Sequence, residues 1–148
     1  MLLNFEDLVE KAKIDLDLSK DKLIESSSNT GIDLIFYAEQ RKQWVDQRSS
    51  QENNLERLRR LLWLYYSGKA NAKQIELLEK KKPFQLQLNT KQDIEQFITS
   101  DTLYLEKKNL LDQMDSTIKF LDEVIGAVRF RAQVVRNIIQ EKSSLYGE

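Results

Sequence analysis

Between Leu55 and Ala70 the chain reads LERLRRLLWLYYSGKA. Arg57, Arg59 and Arg60 fall within four residues, and Trp63, Tyr65 and Tyr66 follow before a Ser67-Gly68 stop. Guanidinium and ammonium groups track phosphates by charge, and aromatic faces accept stacked bases irrespective of sequence. On a helix Arg57, Arg60 and Leu64 share one face, while Leu58, Leu61, Leu62 and Tyr65 form an apolar one. Lys69 and Lys73 carry the cationic side past the turn. The candidate nucleic-acid contacts are therefore Arg57, Arg59, Arg60, Tyr65, Tyr66, Lys69 and Lys73. The competing structural reading places Trp63 in the core and the arginines in water or in ion pairs. Tyr65 and Tyr66 are adjacent, so a helix is expected to leave one of them exposed.

The charge distribution points the same way. The chain has 148 residues and a net charge of -1. From Arg41 to Lys73, eight basic residues face three acidic ones, so this span nets +5 and the remainder nets -6. Local asymmetry of this kind marks a polyanion surface better than the whole-chain balance does. A second basic cluster is Arg129, Arg131 and Arg136. Lys80-Lys81-Lys82 reads as a solvated turn.

Other chemistries lack their parts. There is no Cys and no His, which removes thiol nucleophiles, Cys/His zinc sites and Ser-His-Asp triads. No phosphate-cradling G-x-x-x-x-G-K-[ST] or G-x-G-x-x-G loop occurs. Asp15/Asp17 and Asp112/Asp115 could hold Mg²⁺ in principle, but each lies in an amphipathic stretch and reads as a solvated face. No enzyme, metal or cofactor is expected. MLLNFEDLVEK lacks a signal-peptide pattern, and no apolar run approaches the ~20 residues of a membrane span, so a soluble intracellular protein is expected.

Four Gly and one Pro suit long helices, and the expected fold is all-α with one or two short extended segments. Asn4 caps a helix running to about Lys13. IDLDL (14–18) alternates and reads as extended, and Ser19 caps the next helix. Ser26 to Gly31 reads as a loop by propensity. Helical spacing then runs from Leu34 to Tyr65, and Ser67-Gly68 ends it. A short helix covers Ala72 to Lys81, closed by Lys82-Pro83. PFQLQL (83–88) reads as a tethered connector or edge strand. Thr90 caps a helix whose apolar face is Ile94, Phe97 and Ile98.

From Leu103 to about Lys142 runs the longest periodic segment. One heptad line holds Lys107, Met114, Leu121, Val128, Val135 and Lys142. Three residues on come Leu110, Thr117, Val124, Arg131 and Ile138, and four on come Leu111, Ile118, Ile125, Ala132 and Ile139. A two-stranded coiled coil needs only a two-line seam, so three lines imply more than two helices. About 40 helical residues would span roughly 60 Å, against a diameter near 40 Å for a compact domain of this size. The expectation is burial against other chains, through Leu110, Leu111, Met114, Ile118, Leu121, Val124, Ile125, Val128, Val135, Ile138 and Ile139. Folding back on the 34–66 helix is the alternative. Arg131 on this stripe needs a carboxylate, with Asp122 or Glu123 of a neighbour the simplest source, or a polyanion in a central channel. Residues 1–82 are read as the nucleic-acid-binding region and 83–148 as the oligomerisation helices.

Several blocks together resemble the UvsY family of recombination mediators from T-even-like phages. They are Tyr65-Tyr66-Ser67-Gly68-Lys69, then KKPFQLQL, then Ile98-Thr99-Ser100-Asp101, then AVRFRAQVVRNIIQ (127–140), in matching order and spacing. FEDLVEKAKIDL and the Trp44 helix match more loosely. The resemblance implies a ring-like homo-oligomer of six or seven subunits and sequence-independent binding of single-stranded DNA. It also implies contacts to a RecA-like recombinase and a phage single-strand-binding protein, helping the first load where the second sat. The setting it implies is the cytoplasm of the infected bacterial host, without membrane contact. In the family two basic residues stand five and three positions before the first tyrosine; here those are Arg60 and Leu62, with Arg57 and Arg59 one turn back. The alternative class is a structural coiled-coil oligomer, a virion or scaffold component, that binds no nucleic acid.

Overall fold

A computed structural model describes residues 1–17 and 23–145, with side-chain surroundings given from Asn29 onward in the second span. Five helices follow one another: α1 (Phe5–Asp15), α2 (Leu23–Tyr66), α3 (Ala72–Leu77), α4 (Lys91–Ser100) and α5 (Thr102–Leu145). No strand occurs among the described residues. The fold is all-α, and α2 and α5 are 44 residues each. Two compact units form: residues 1–46 with 115–148, and residues 47–114. α2 and α5 each contribute to both units, and the sequence boundary expected at 82/83 falls inside the second.

The first unit is built on α1, the first part of α2 and the last part of α5. Asn4 caps α1, its side chain accepting from the Asp7 amide at 2.8 Å. Leu8 and Ala12 then bury against Tyr37 of α2 and Leu121, Val124 and Val128 of α5. Gln40, itself buried, holds the N-terminal backbone, donating to the Met1 carbonyl (2.8 Å) and accepting from the Leu3 amide (2.9 Å). α1 continues through Ile14 and Asp15, which sequence alternation read as extended. Asp15 is the reason for the difference: its Oδ2 accepts from the Tyr37 hydroxyl (2.8 Å) and from Lys11 one turn back (2.5 Å). It is neither an extended residue nor an open magnesium ligand. The proposed Ser19 cap lies outside the described residues.

The stretch from Ser26 to Gly31 is helical, against its propensity. Tertiary bonds a turn further on outweigh the weak local preference. Arg131, 2% exposed, donates to Asp33 Oδ2 at 3.0 Å and to Thr30 Oγ1 at 3.3 Å, and to the Asp15 carbonyl. This buried guanidinium thus joins all three elements of the unit. Its carboxylate comes from Asp33 of the same chain, not from Asp122 or Glu123 of a neighbour; Asp122 is paired with Arg41 at 2.5 Å on the surface.

The extension of α2 changes the fate of the α5 stripe. Met114, Leu121, Val128 and Val135 are all buried within the chain, as are Leu111, Thr117 and Val124. All three lines thus place residues inside the chain, and the fold-back alternative holds for these, with Leu121, Val124 and Val128 packed on Tyr37 of α2 and on Leu8 and Ala12 of α1. Ile118 and Ile125 remain half-buried, as do Leu110 and Ile138, and Ile139 is exposed.

Removing one partner of a buried ion pair strands the other charge, at a cost of about 3–5 kcal/mol. Arg131→Ala is therefore expected to lower unfolding free energy by about that much in urea titration. Arg131→Met combined with Asp33→Leu is expected to cost clearly less than the single change. Equal losses in the two variants would show that the pair is not the source of the effect.

Candidate nucleic-acid interface

The second unit positions the basic-aromatic segment. α2 ends as the sequence implied. Gly68 takes φ +76°, the Lys69 amide donates to the Leu64 carbonyl (2.9 Å), and the Gly68 amide donates to Tyr65 (3.1 Å). This pair of bonds is the Schellman ending, in which a left-handed residue lets the last carbonyls be satisfied. Asn71 and Gln74 form a reciprocal capping box that starts α3. α3 stops at Leu77, short of the expected Lys81, through a second ending of the same kind. The Lys80 amide reaches the Ile75 carbonyl (3.1 Å) and the Glu79 amide reaches Glu76 (2.9 Å), with Glu79 at φ +59°. Residues 81–90 are then a tethered connector, with Phe84 and Leu88 packed on the core. Thr90 caps α4 by accepting from the Asp93 amide, and Ile94 and Ile98 point inward.

Both tyrosines are buried, Tyr65 at 9% and Tyr66 at 7% exposure. The expectation that one of them would face solvent is corrected, and neither ring is an open platform for a base. Helical geometry separates adjacent residues by ~100°, so burying both requires cover from two directions. Phe84 of the connector supplies one wall, with its ring 5.7 Å from Tyr65 and 4.8 Å from Tyr66. Phe97 of α4 supplies the other, 5.4 Å from Tyr66. Leu62, fully buried, lies in the same cluster, and a charge at that position would have no water. Trp63 borders the cluster.

The hydroxyls complete the arrangement. Tyr65 donates to the Lys82 carbonyl at 2.9 Å. Tyr66 donates to Asp101 Oδ2 at 2.6 Å, and Lys80 Nζ reaches the same oxygen at 2.7 Å. Asp101 Oδ1 accepts from the Leu103 amide at 2.9 Å, so this residue closes α4 and caps α5 together. Burial alone would raise the Asp101 pKa, but the Lys80 ammonium, the Tyr66 phenol and the backbone amide stabilise the anion and hold it below the ordinary value. Burial chiefly, with the bond to this carboxylate, raises the Tyr66 phenol.

The cations divide into engaged and open groups. Arg59 is half-exposed and bound to Glu95 of α4 at 2.6 Å, a bond that raises its pKa further. Arg57, Arg60, Lys69 and Lys73 are exposed, and none of them has an ion-pair partner among the described residues. The unit as a whole has twelve basic and nine acidic residues, net +3, while the other unit nets -4. A hollow of about 40 Å³ lined by Tyr65, Gly68, Ala70, Ile75, Pro83 and Phe84 is too small for a base. Among the described residues no cluster of three or more acidic groups could hold a metal, and no helix is long and apolar enough to cross a membrane. The arrangement presents a cationic surface on a fixed aromatic core.

Two consequences are measurable. A hydrogen bond to a charged group is worth roughly 1.5–3 kcal/mol, so Tyr66→Phe is expected to cost about that much in thermal or chemical unfolding. Because the Asp101 pKa is depressed in the folded state, its contribution is full above the ordinary aspartate range and is lost as pH falls through the folded value. Stability measured from pH 7 down to pH 2 is expected to fall less steeply in Asp101→Asn than in the parent. Separately, Glu79 holds a left-handed conformation costing about 1 kcal/mol for a residue with a Cβ. Glu79→Gly is expected to be neutral or stabilising, and a loss of more than 1 kcal/mol would contradict the reading of that turn.

Three crystal structures of the bacteriophage T4 recombination mediator protein UvsY resemble the whole chain. Lattice type II superposes with a TM-score of 0.80 at 16% identity, covering 99% of both chains. Lattice type IV gives 0.80 at 16% identity, covering 95% of this chain and 98% of that one. Lattice type I gives 0.78 at 16% identity, with 93% and 97% covered. No curated protein sequence matches. At this identity the likeness establishes the all-α fold. The family model described as recombination, repair and ssDNA binding protein UvsY matches residues 7–147, nearly the full length. The chain belongs to the UvsY family of recombination, repair and single-stranded DNA-binding proteins.

Proposed function

We propose that this protein is a non-catalytic recombination mediator that binds single-stranded DNA through its second unit. It helps a RecA-like phage recombinase load onto DNA covered by a phage single-strand-binding protein, in the cytoplasm of the infected host. The observation that carries the reading is the set of exposed cations, Arg57, Arg60, Lys69 and Lys73, on the net-positive unit of a UvsY-family chain. Arg59 joins them when a phosphate replaces Glu95. Tyr65 and Tyr66 act by holding this surface rather than by stacking on bases.

One such patch binds weakly, and repetition raises its affinity by making later contacts intramolecular. A homo-oligomer of six or seven subunits supplies the repetition. Support comes from the first unit, where Ile32, Ile35, Phe130 and Ile139 remain 67, 71, 71 and 52% exposed. Together with half-buried Ile118 and Ile125 they are the apolar surface available to neighbouring copies.

Single-strand binding by phosphate contacts loses affinity with a log–log salt slope of about 0.7 per phosphate. Titration of labelled oligo-dT is expected to show steep salt dependence. Arg57→Ala with Arg60→Ala is expected to reduce both affinity at low salt and the slope while leaving assembly mass unchanged. Salt-independent binding, or none at low salt, would favour the structural-oligomer reading instead.

A further inference from the structure

The turn at Lys80-Lys81-Lys82 is more than solvated chain. Its three lysines have different fates. Lys80 is largely enclosed, with Nζ 2.7 Å from Asp101 and 5.7 Å from the centre of the Tyr65 ring. Lys81 and Lys82 are exposed, and no ion-pair partner is present for either among the described residues. The backbone around them is fixed on both sides. Lys80 is tied to Asp101 before them, the Lys82 carbonyl accepts from Tyr65, and Phe84 is wedged between Tyr65, Tyr66 and Phe97 after them.

These anchors place the turn beside the end of α2. Gly68 and Pro83 line the same small hollow, so the two chain segments that carry Lys69 and Lys82, their immediate neighbours in sequence, meet there. From Lys69 to Lys82 there are five lysines and two acids, Glu76 and Glu79, a net of +3 within 14 residues. Exposed ammonium groups on an anchored backbone lose less conformational freedom on meeting a phosphate than groups on a free loop would.

We propose that Lys81 and Lys82, with Lys69, form a second phosphate-binding cluster that extends the path of single-stranded DNA around the end of α2. The cluster rests on the reading that this unit binds single-stranded DNA, and adds residues outside the Arg57–Lys73 segment to that path. Tyr65, Tyr66 and Asp101 are its positioning residues. The ligand is the sugar-phosphate backbone, since the cluster offers charge and no open aromatic face.

The test uses the full-length protein and labelled oligo-dT across a salt series. Lys81→Glu with Lys82→Glu is expected to lower affinity about tenfold at low salt and to flatten the log–log slope by about 1.4, the share of two phosphates. Lys108→Glu with Lys119→Glu imposes the same charge change on exposed positions of α5 and is expected to have a much smaller effect. Melting temperature and assembly mass are measured on every variant, and both are expected to match the parent. Parent-like binding by the Lys81/Lys82 variant, or an equal loss in the α5 variant, would overturn the cluster while leaving DNA binding intact. A parent protein that binds no oligo-dT would instead overturn the underlying function.

Discussion

A carboxylate sealed from water has to be satisfied by its neighbours, and Asp101 imposes that requirement on the whole second unit. Its side chain has no exposed surface, and it takes donors from the end of α2, the lysine turn and the first turn of α5. None of these segments can shift without stranding a buried charge. The last turn of α2 is thereby fixed against the connector, and the connector against α4. The cations on these elements inherit that rigidity, although none of them belongs to the network apart from Lys80.

The first unit uses the same device with the signs exchanged. There the enclosed group is the Arg131 guanidinium, and the acceptors are Asp33, Thr30 and the Asp15 carbonyl. A buried ion pair adds little stability compared with an apolar replacement, but it penalises any helix register that separates its members. This is how a weakly helical serine-rich segment comes to lie within one unbroken α2. A single turn of polar contacts decides what propensity leaves open.

Much of the architecture was legible in the sequence because it is local. The Asn4 and Thr90 caps, the Gly68 stop, the α4 apolar face and the periodicity of α5 each depend on a few neighbouring residues. What escaped was non-local. The burial of both Tyr65 and Tyr66 depends on Phe84 and Phe97, which are 18 or more positions away. The partner of Arg131 stands 98 residues upstream. The length of α2 hid the apolar stripe that appeared to need other chains. Within the candidate site, the exposed cations were readable from the sequence, while the burial of the tyrosines was not, because chemistry visible in a motif says nothing about which side of it is covered. PFQLQL carried a signal that was not used: the phenylalanine directly after the only proline is the ring that anchors the connector on Tyr65 and Tyr66.

In the second unit, charge is held in place by enclosed aromatic and polar contacts. The central proposal is that phosphates meet Lys69, Lys73, Lys81 and Lys82. Lysine acetylation followed by mass spectrometry, with and without oligo-dT, reads this directly. The account expects these four lysines to lose reactivity on DNA binding, with Lys108 and Lys119 unchanged and Lys80 poorly reactive throughout. Equal labelling of the four with and without DNA would contradict it.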